Sequence, residues 1–254
     1  MKRTHTYFHA SIILFTGVLA FSKIKNVKMK PADTGFALIE LFTSEGCSSC
    51  PPADDAVADI QKQYADKNLL VLSYHVDYWD RLGWKDPFSS PAYTERQSYY
   101  AGIFNLESIY TPQVVVNGKE EFVGSNKNKL IHTVDEELKE NSASLITLKA
   151  TQNNTGKVEI TYSIDVNNSK QDELVLLLVQ KMATIHIKKG ENEGRTLHHI
   201  NIVRENSVMP ATSKEETKTF KLPPGLKKEE VFVAAFLQDK KTGKITGMQS
   251  SNVK

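Results

Sequence analysis

Cys47 and Cys50 are the only cysteines in a chain of 254 residues. They stand in F-A-L-I-E-L-F-T-S-E-G-C-S-S-C-P-P-A-D-D, residues 36–55. An apolar run (residues 37–42), bounded by Gly35, ends in a polar Ser44-Glu45-Gly46 turn. The C-x-x-C follows, and Pro51-Pro52 open a helical pattern. Proline suits only the first turn of a helix, where backbone N–H groups have no intrahelical partner. The pair therefore falls at a strand-to-helix junction, at or just before a helix N-terminus. This order of strand, turn and helix constrains the fold more than any other feature of the sequence.

A thiolate is the reactive form of cysteine, and a helix N-terminus stabilises it through the dipole and its unpaired N–H groups. Two cysteines three positions apart close and open a ring reversibly, so one attacks and the other resolves. The first cysteine of such a turn is normally the more exposed, which makes Cys47 the expected nucleophile and Cys50 the resolving thiol. Glu45 opposes thiolate formation if it points at Cys47. Two other readings stay open. As a structural staple, the small loop would remove only about 2 kcal/mol of unfolded-state entropy. As a metal half-site, a Cu(I) or other metal carrier, Cys47 and Cys50 need a further ligand, for which His75 is the best placed; His198-His199 is more remote.

The next elements follow from periodicity. From Pro51 to about Asp66, Ala53, Ala56, Val57, Ile60 and Tyr64 recur at helical spacing, with Asp54, Asp55, Asp59 and Lys62 between them. Residues 69–75 (L-L-V-L-S-Y-H) form a strand apolar enough to be buried on both faces, completing a βαβ unit. Residues 76–110 are a helical insert, its irregular start holding both tryptophans and Ser90-Pro91 opening a helix to about Phe104. Thr111-Pro112 precedes a strand at 114–117, Gly118 makes a turn, and 121–123 pair back. Ser125 caps a helical stretch to about Glu140. Near Asn141 the character changes. Segments 144–150, 157–166, 173–182, 184–188, 197–204, 217–222 and 231–238 resemble strands separated by turn signals such as residues 190–194, which suggests an all-β sandwich.

The N-terminus carries Lys2 and Arg3, then an apolar stretch at 11–21 with Ala20 and Ser22 spaced for cleavage, the pattern of an export signal over residues 1–22. The alternative is an uncleaved signal anchor. The full chain carries a formal charge of +2. Removing the signal takes away Lys2, Arg3 and no acid, so the exported chain is neutral and offers no electrostatic case for nucleic acid or an anionic membrane surface. Residues 23–35 read as a flexible lead-in. Export, periplasmic or secreted, puts the thiols in an oxidising compartment where disulfides persist.

Strand, C-x-x-C, helix, strand, helical insert and Thr-Pro before a strand together resemble the thioredoxin superfamily. The resemblance implies a cis-proline at Pro112 facing the cysteines, where the Thr111–Pro112 backbone meets substrate. The chain also resembles the secreted family catalogued as domain of unknown function 1223. Its segments here are L-F-T-S-E-G-C-S-S-C-P-P-A-D, H-V-D-Y-W-D-x-L-G-W-x-D, R-Q-x-x-Y, Y-T-P-Q-V-V-V-N-G and G-E-N-E-G-R-T-L-x-H-x-N-I-V-R. This implies an α/β thioredoxin-like domain at residues 36–141 followed by an all-β, sandwich-like C-terminal subdomain at 142–254.

Asp77, Tyr78, Trp79, Asp80 and Trp84 form a second constellation. Either they wall the cysteine cleft and grip an extended protein segment through their aromatic faces, or the tryptophans are core for the insert. Arg96 and Gln97 have Asp77 or Asp80 as candidate partners, or lie on a solvated helix face. Arg195, His199 and Arg204 lie on a hairpin surface or dock the β region against the cleft. The expected function is an exported thiol–disulfide oxidoreductase using no cofactor beyond its own disulfide. Its partners would be exported protein thiols or disulfides and an electron donor or acceptor. The alternatives are the metal carrier and a non-catalytic binding module whose β region recognises the partner.

Overall fold

In the computed structural model, residues 35–140, 145–165, 172–211 and 214–254 are described. The signal-peptide and nearly all of the lead-in readings lie outside them. Eleven strands and three α-helices follow one another as β1 (Ala37–Thr43), α1 (Pro51–Gln63), β2 (Leu69–His75), α2 (Pro91–Phe104), β3 (Gln113–Val116), β4 (Glu120–Val123), α3 (Lys127–Glu137), β5 (Leu145–Gln152), β6 (Val158–Asp165), β7 (Asp172–His186), β8 (Thr196–Pro210), β9 (Glu216–Phe220), β10 (Val231–Asp239) and β11 (Ile245–Asn252). Eight strands form one sheet in the order β11-β10-β7-β8-β2-β1-β3-β4, and β5-β6-β9 form a small second sheet.

β2 runs parallel to β1 and to β8, and the other paired neighbours in the large sheet are antiparallel. Thus β7, β8, β10 and β11, all beyond Asn141, extend the sheet begun by β1–β4. The change of composition near Asn141 marks the end of the α-helices among the described residues, while the large sheet continues across it.

The period-2 alternation of strand side chains sorts the core. Leu38 and Phe42 of β1, Leu72 and Tyr74 of β2 and Val175, Leu177 and Val179 of β7 face α2, against Tyr93 and Tyr100. On the opposite face, Ile39 and Leu41 pack under Val57 and Ile60 of α1 and Leu130 and Val134 of α3. On that side of the C-terminal strands, Leu174, Leu176 and Leu178 with Val233 and Ala235 meet Leu148, Ile160 and Phe220 of the small sheet. This last contact is a β-on-β sandwich. Each fully buried aliphatic side chain contributes on the order of 1.5–3 kcal/mol relative to exposure.

Several expectations need correction. Segments 173–182 and 184–188 are one strand, β7, because β8 pairs with it through His186. β11 carries too few apolar residues to stand out by pattern; β10 pairs along its length and places it. Asn126, not Ser125, caps α3, accepting from Lys129 N. Arg96 reaches neither Asp77 nor Asp80 and does not lie on a solvated face. It pairs with buried Glu40 of β1, lies against the rings of Tyr74, Tyr100 and Phe236, and donates to Gln238. Buried Gln97 donates to Tyr110 O at 2.6 Å and Gln113 Oε1 at 2.9 Å.

Candidate active site

β1 ends at Thr43, the turn spans Ser44–Gly46, and Cys47 and Cys50 close a disulfide with Cα atoms 5.4 Å apart. Cys50 is the N-cap of α1, and its carbonyl accepts from Ala53 N and Asp54 N. Pro51 and Pro52 fill the first turn, where their missing N–H groups cost nothing. Ser48 and Ser49 are exposed, yet neither cysteine has accessible surface. The expected exposure of Cys47 is therefore wrong for this state. The reason is tertiary: the tip of the β7–β8 hairpin lies on the turn. Buried Asn192 donates through Nδ2 to Glu45 O (2.8 Å) and Cys47 O (2.9 Å). The Glu191 carboxylate accepts from Ser48 N at 3.2 Å and Ser48 Oγ at 2.7 Å. Of the two readings of Arg195, His199 and Arg204, docking is the one realised for the hairpin.

Beside the disulfide lies a buried cluster of acids and histidines. Asp54, one turn into α1 from Cys50, accepts from Thr43 Oγ1 at 3.1 Å. His199 of β8 sits between two carboxylates, with Nδ1 3.4 Å from Asp54 Oδ1 and Nε2 3.4 Å from Glu45 Oε1. Burial alone would lower its pKa, but the two carboxylates prevail and push it up to about 10, so His199 carries a proton at neutral pH. Glu45 turns its other oxygen to Trp84 Nε1 at 2.7 Å. Its carboxylate thus has its partners in Trp84 and His199. The His75 ring packs 4.7 Å from that of His199, centroid to centroid, and its Nδ1 lies 2.7 Å from Asp86 Oδ2. Burial raises the Asp86 pKa, but His75 and the amides of Glu45 and Phe88 hold it below the usual carboxylate range.

The remaining candidates divide. Trp79 donates to Thr111 Oγ1 at 2.8 Å, and its Cβ lies 3.0 Å from where a Cβ on Gly46 would stand. The Thr111–Pro112 peptide is cis, as the resemblance implied, and Pro112 is buried. Trp84 reaches the turn through Glu45 and faces Gly190 of the hairpin tip. Both half-buried tryptophans thus touch the turn that carries Cys47. Tyr78 donates to Gln97 Oε1 at 3.2 Å, and Asp77 accepts from Thr94 Oγ1 at 2.6 Å in the first turn of α2; these two brace the insert. Among the described residues no group of three or more His, Cys, Asp or Glu side chains stands in a metal-holding arrangement. The ligand set Cys47, Cys50 and His75 is not assembled, because both sulfurs are spent in the disulfide and the His75 ring is held by Asp86.

Sequence reasoning passed over Asp54, Asp86, Glu191 and Asn192. Asp54 was a polar interval residue of α1, and its spacing of four from Cys50 was the available signal that it shares the cysteine's face. Asn192 had only its place in a glycine-bounded turn.

What the fold and site define is a C-x-x-C protein whose disulfide caps the first helix of a mixed sheet. The chain belongs to the family described as protein of unknown function DUF1223, which matches residues 38–238. It is similar to protein AGR_C_4864 from Agrobacterium tumefaciens, with 27% identity and a TM-score of 0.63 over 84% of this chain and 92% of that one. It is also similar in fold to HBP35 of Porphyromonas gingivalis, with 17% identity and a TM-score of 0.59 over 88% of this chain and 77% of that one. No curated protein matches the chain.

Proposed function

We propose that the protein is an exported thiol–disulfide oxidoreductase of thioredoxin-like architecture that acts on protein thiols or disulfides through Cys47 and Cys50. The observation that carries this reading is the closed Cys47–Cys50 disulfide at the N-terminus of α1. In the reducing direction the Cys47 thiolate attacks a substrate disulfide, forms a mixed disulfide and releases one substrate thiolate. The Cys50 thiolate then attacks Cys47 Sγ, closes the ring and releases the second, so two electrons pass to the substrate. The dipole of α1 favours the Cys47 thiolate. Thr111, Pro112 and Trp79 are the proposed substrate surface beside it, with Trp84 on the far side of the turn. Asp77 and Tyr78, engaged inside the insert, fall outside that surface. An electron donor or acceptor in the same compartment recycles the pair.

The complete enclosure of both sulfurs favours one competing reading, a buried structural staple. The reduction potential separates the two. An exchanging pair sits between roughly −270 mV, for a reductase, and −120 mV, for an oxidant, whereas a staple lies below about −300 mV. Turnover of a model protein disulfide, lost in Cys47→Ser, supports the oxidoreductase; a potential below that limit with no turnover rejects it.

A further inference from the structure

We infer that the tip of the β7–β8 hairpin, residues 187–195, is a lid over the cysteine pair that pivots on His199 and lifts to admit a second protein's thiol or disulfide. Its purpose rests on the oxidoreductase reading above, but its mechanics do not. Ser48 and Ser49 are exposed while the sulfurs they separate are not, so the turn lies at the surface and the enclosure is supplied from outside it. The hairpin is that covering. It touches the cysteine turn through Asn192, on the carbonyls of Glu45 and Cys47, and Glu191, on Ser48 N and Oγ.

The tip is built to move as one piece. Ile187 N donates to Arg195 O, Gly194 N to Ile187 O and Glu193 N to Gly190 O, so it keeps its own shape without the contacts below. Gly190 (φ +82°) and Gly194 (φ +79°) supply the left-handed backbone this closed loop requires. Between residue 183 and residue 198 the ribbon buries only Ile187, Asn192 and Leu197. A segment with so few buried side chains opens at a fraction of the global unfolding free energy. Just beyond it, His199 is held between Asp54 and Glu45 and Ile200 packs against the core under α1, so the base stays fixed while the tip lifts. Water re-bonds the freed groups of Asn192, Glu191 and Ser48, which keeps opening inexpensive.

The test is the rate at which the oxidised protein is reduced by tris(2-carboxyethyl)phosphine, in wild type, Asn192→Ala and Glu191→Ala. Removing hydrogen bonds worth about 1 kcal/mol each raises the open population, so Asn192→Ala should react about tenfold faster or more, and Glu191→Ala faster by a smaller factor. Glu191 is exposed, so its variant keeps the fold if Asn192→Ala does not. A second measurement is amide exchange: Gly194 and Ile187 should exchange through a smaller opening than Val203 of the central sheet. Unaccelerated reduction in both variants, or wild type reacting as fast as oxidised glutathione, overturns the lid. Accelerated reduction without turnover of any protein disulfide keeps the lid and rejects the oxidoreductase. Turnover with equal rates in all three proteins does the reverse.

Discussion

The side-chain amide of Asn192 donates to the backbone oxygen of Cys47 at 2.9 Å, across 145 positions of chain. Through this bond the longest hairpin of the C-terminal half becomes a wall of a site begun by the first strand and helix. His199, a few residues further on, adds a buried ion pair to each side of the same turn. The cysteine site is therefore assembled from both halves of the molecule, and its chemistry can be probed from either.

Cys50→Ser should hold Cys47 in a mixed disulfide with a substrate protein, because the thiol that resolves the intermediate is gone. Under non-reducing conditions a higher-mass adduct should form that reductant removes, and Cys47→Ser should form none. A persistent adduct on Cys47→Ser would assign the attack to Cys50.

His199 sets a pH dependence of stability. Its folded pKa, about 10, lies above the unfolded value of 6.5, so its contribution is complete below pH 6.5 and is lost progressively as pH rises through 10. Across that window the slope from this one group is at most about 1.4 kcal/mol per pH unit. Urea midpoints between pH 6.5 and 10 should fall in wild type and fall less in His199→Gln. Equal slopes would mean that His199 is neutral in the folded protein.

Arg96 and Glu40 make a buried pair between α2 and β1, with 9% and 1% of their side chains exposed. Breaking such a pair strands a charge and costs about 3–5 kcal/mol, whereas replacing both partners with apolar residues costs far less. Arg96→Met should therefore destabilise more than Arg96→Met/Glu40→Leu in denaturant unfolding. A double variant as damaged as the single would show that the pair's worth lies in packing.

Gly118 and Gly83 both have positive φ but differ in surroundings. A Cβ on Gly118 (φ +64°) would stand 1.8 Å from Gly243 O, while one on Gly83 (φ +98°) meets nothing within 4 Å. Gly83→Ala should cost about 1–2 kcal/mol of backbone strain alone. Gly118→Ala should cost several-fold more or prevent folding, because backbone has to move. Comparable thermal midpoints for the two variants would contradict the close approach of the two turns.

The local signals in the sequence were strong where the physics is local. Strand, turn and helix around Cys47 followed from an apolar run and two prolines, and Ser90-Pro91 set the start of α2, since capping and proline geometry act within a few residues. The alternation of Val158, Ile160, Tyr162 and Ile164 gave β6 for the same reason. The Glu40–Arg96 pair could not be read this way: a lone acid in an apolar strand finds its partner 56 positions away, and periodicity carries no information about that distance. The same holds at the site. By itself the sequence determined that two cysteines sit at the head of a helix, because that depends on residues 36–55 alone. That both sulfurs are covered, that Asp54 is buried and that His199 is held charged were decided by the tertiary structure. Each depends on β8 pairing beside β2 and carrying its hairpin onto the turn, and burial, unlike a proline's geometry, belongs to everything packed around a residue.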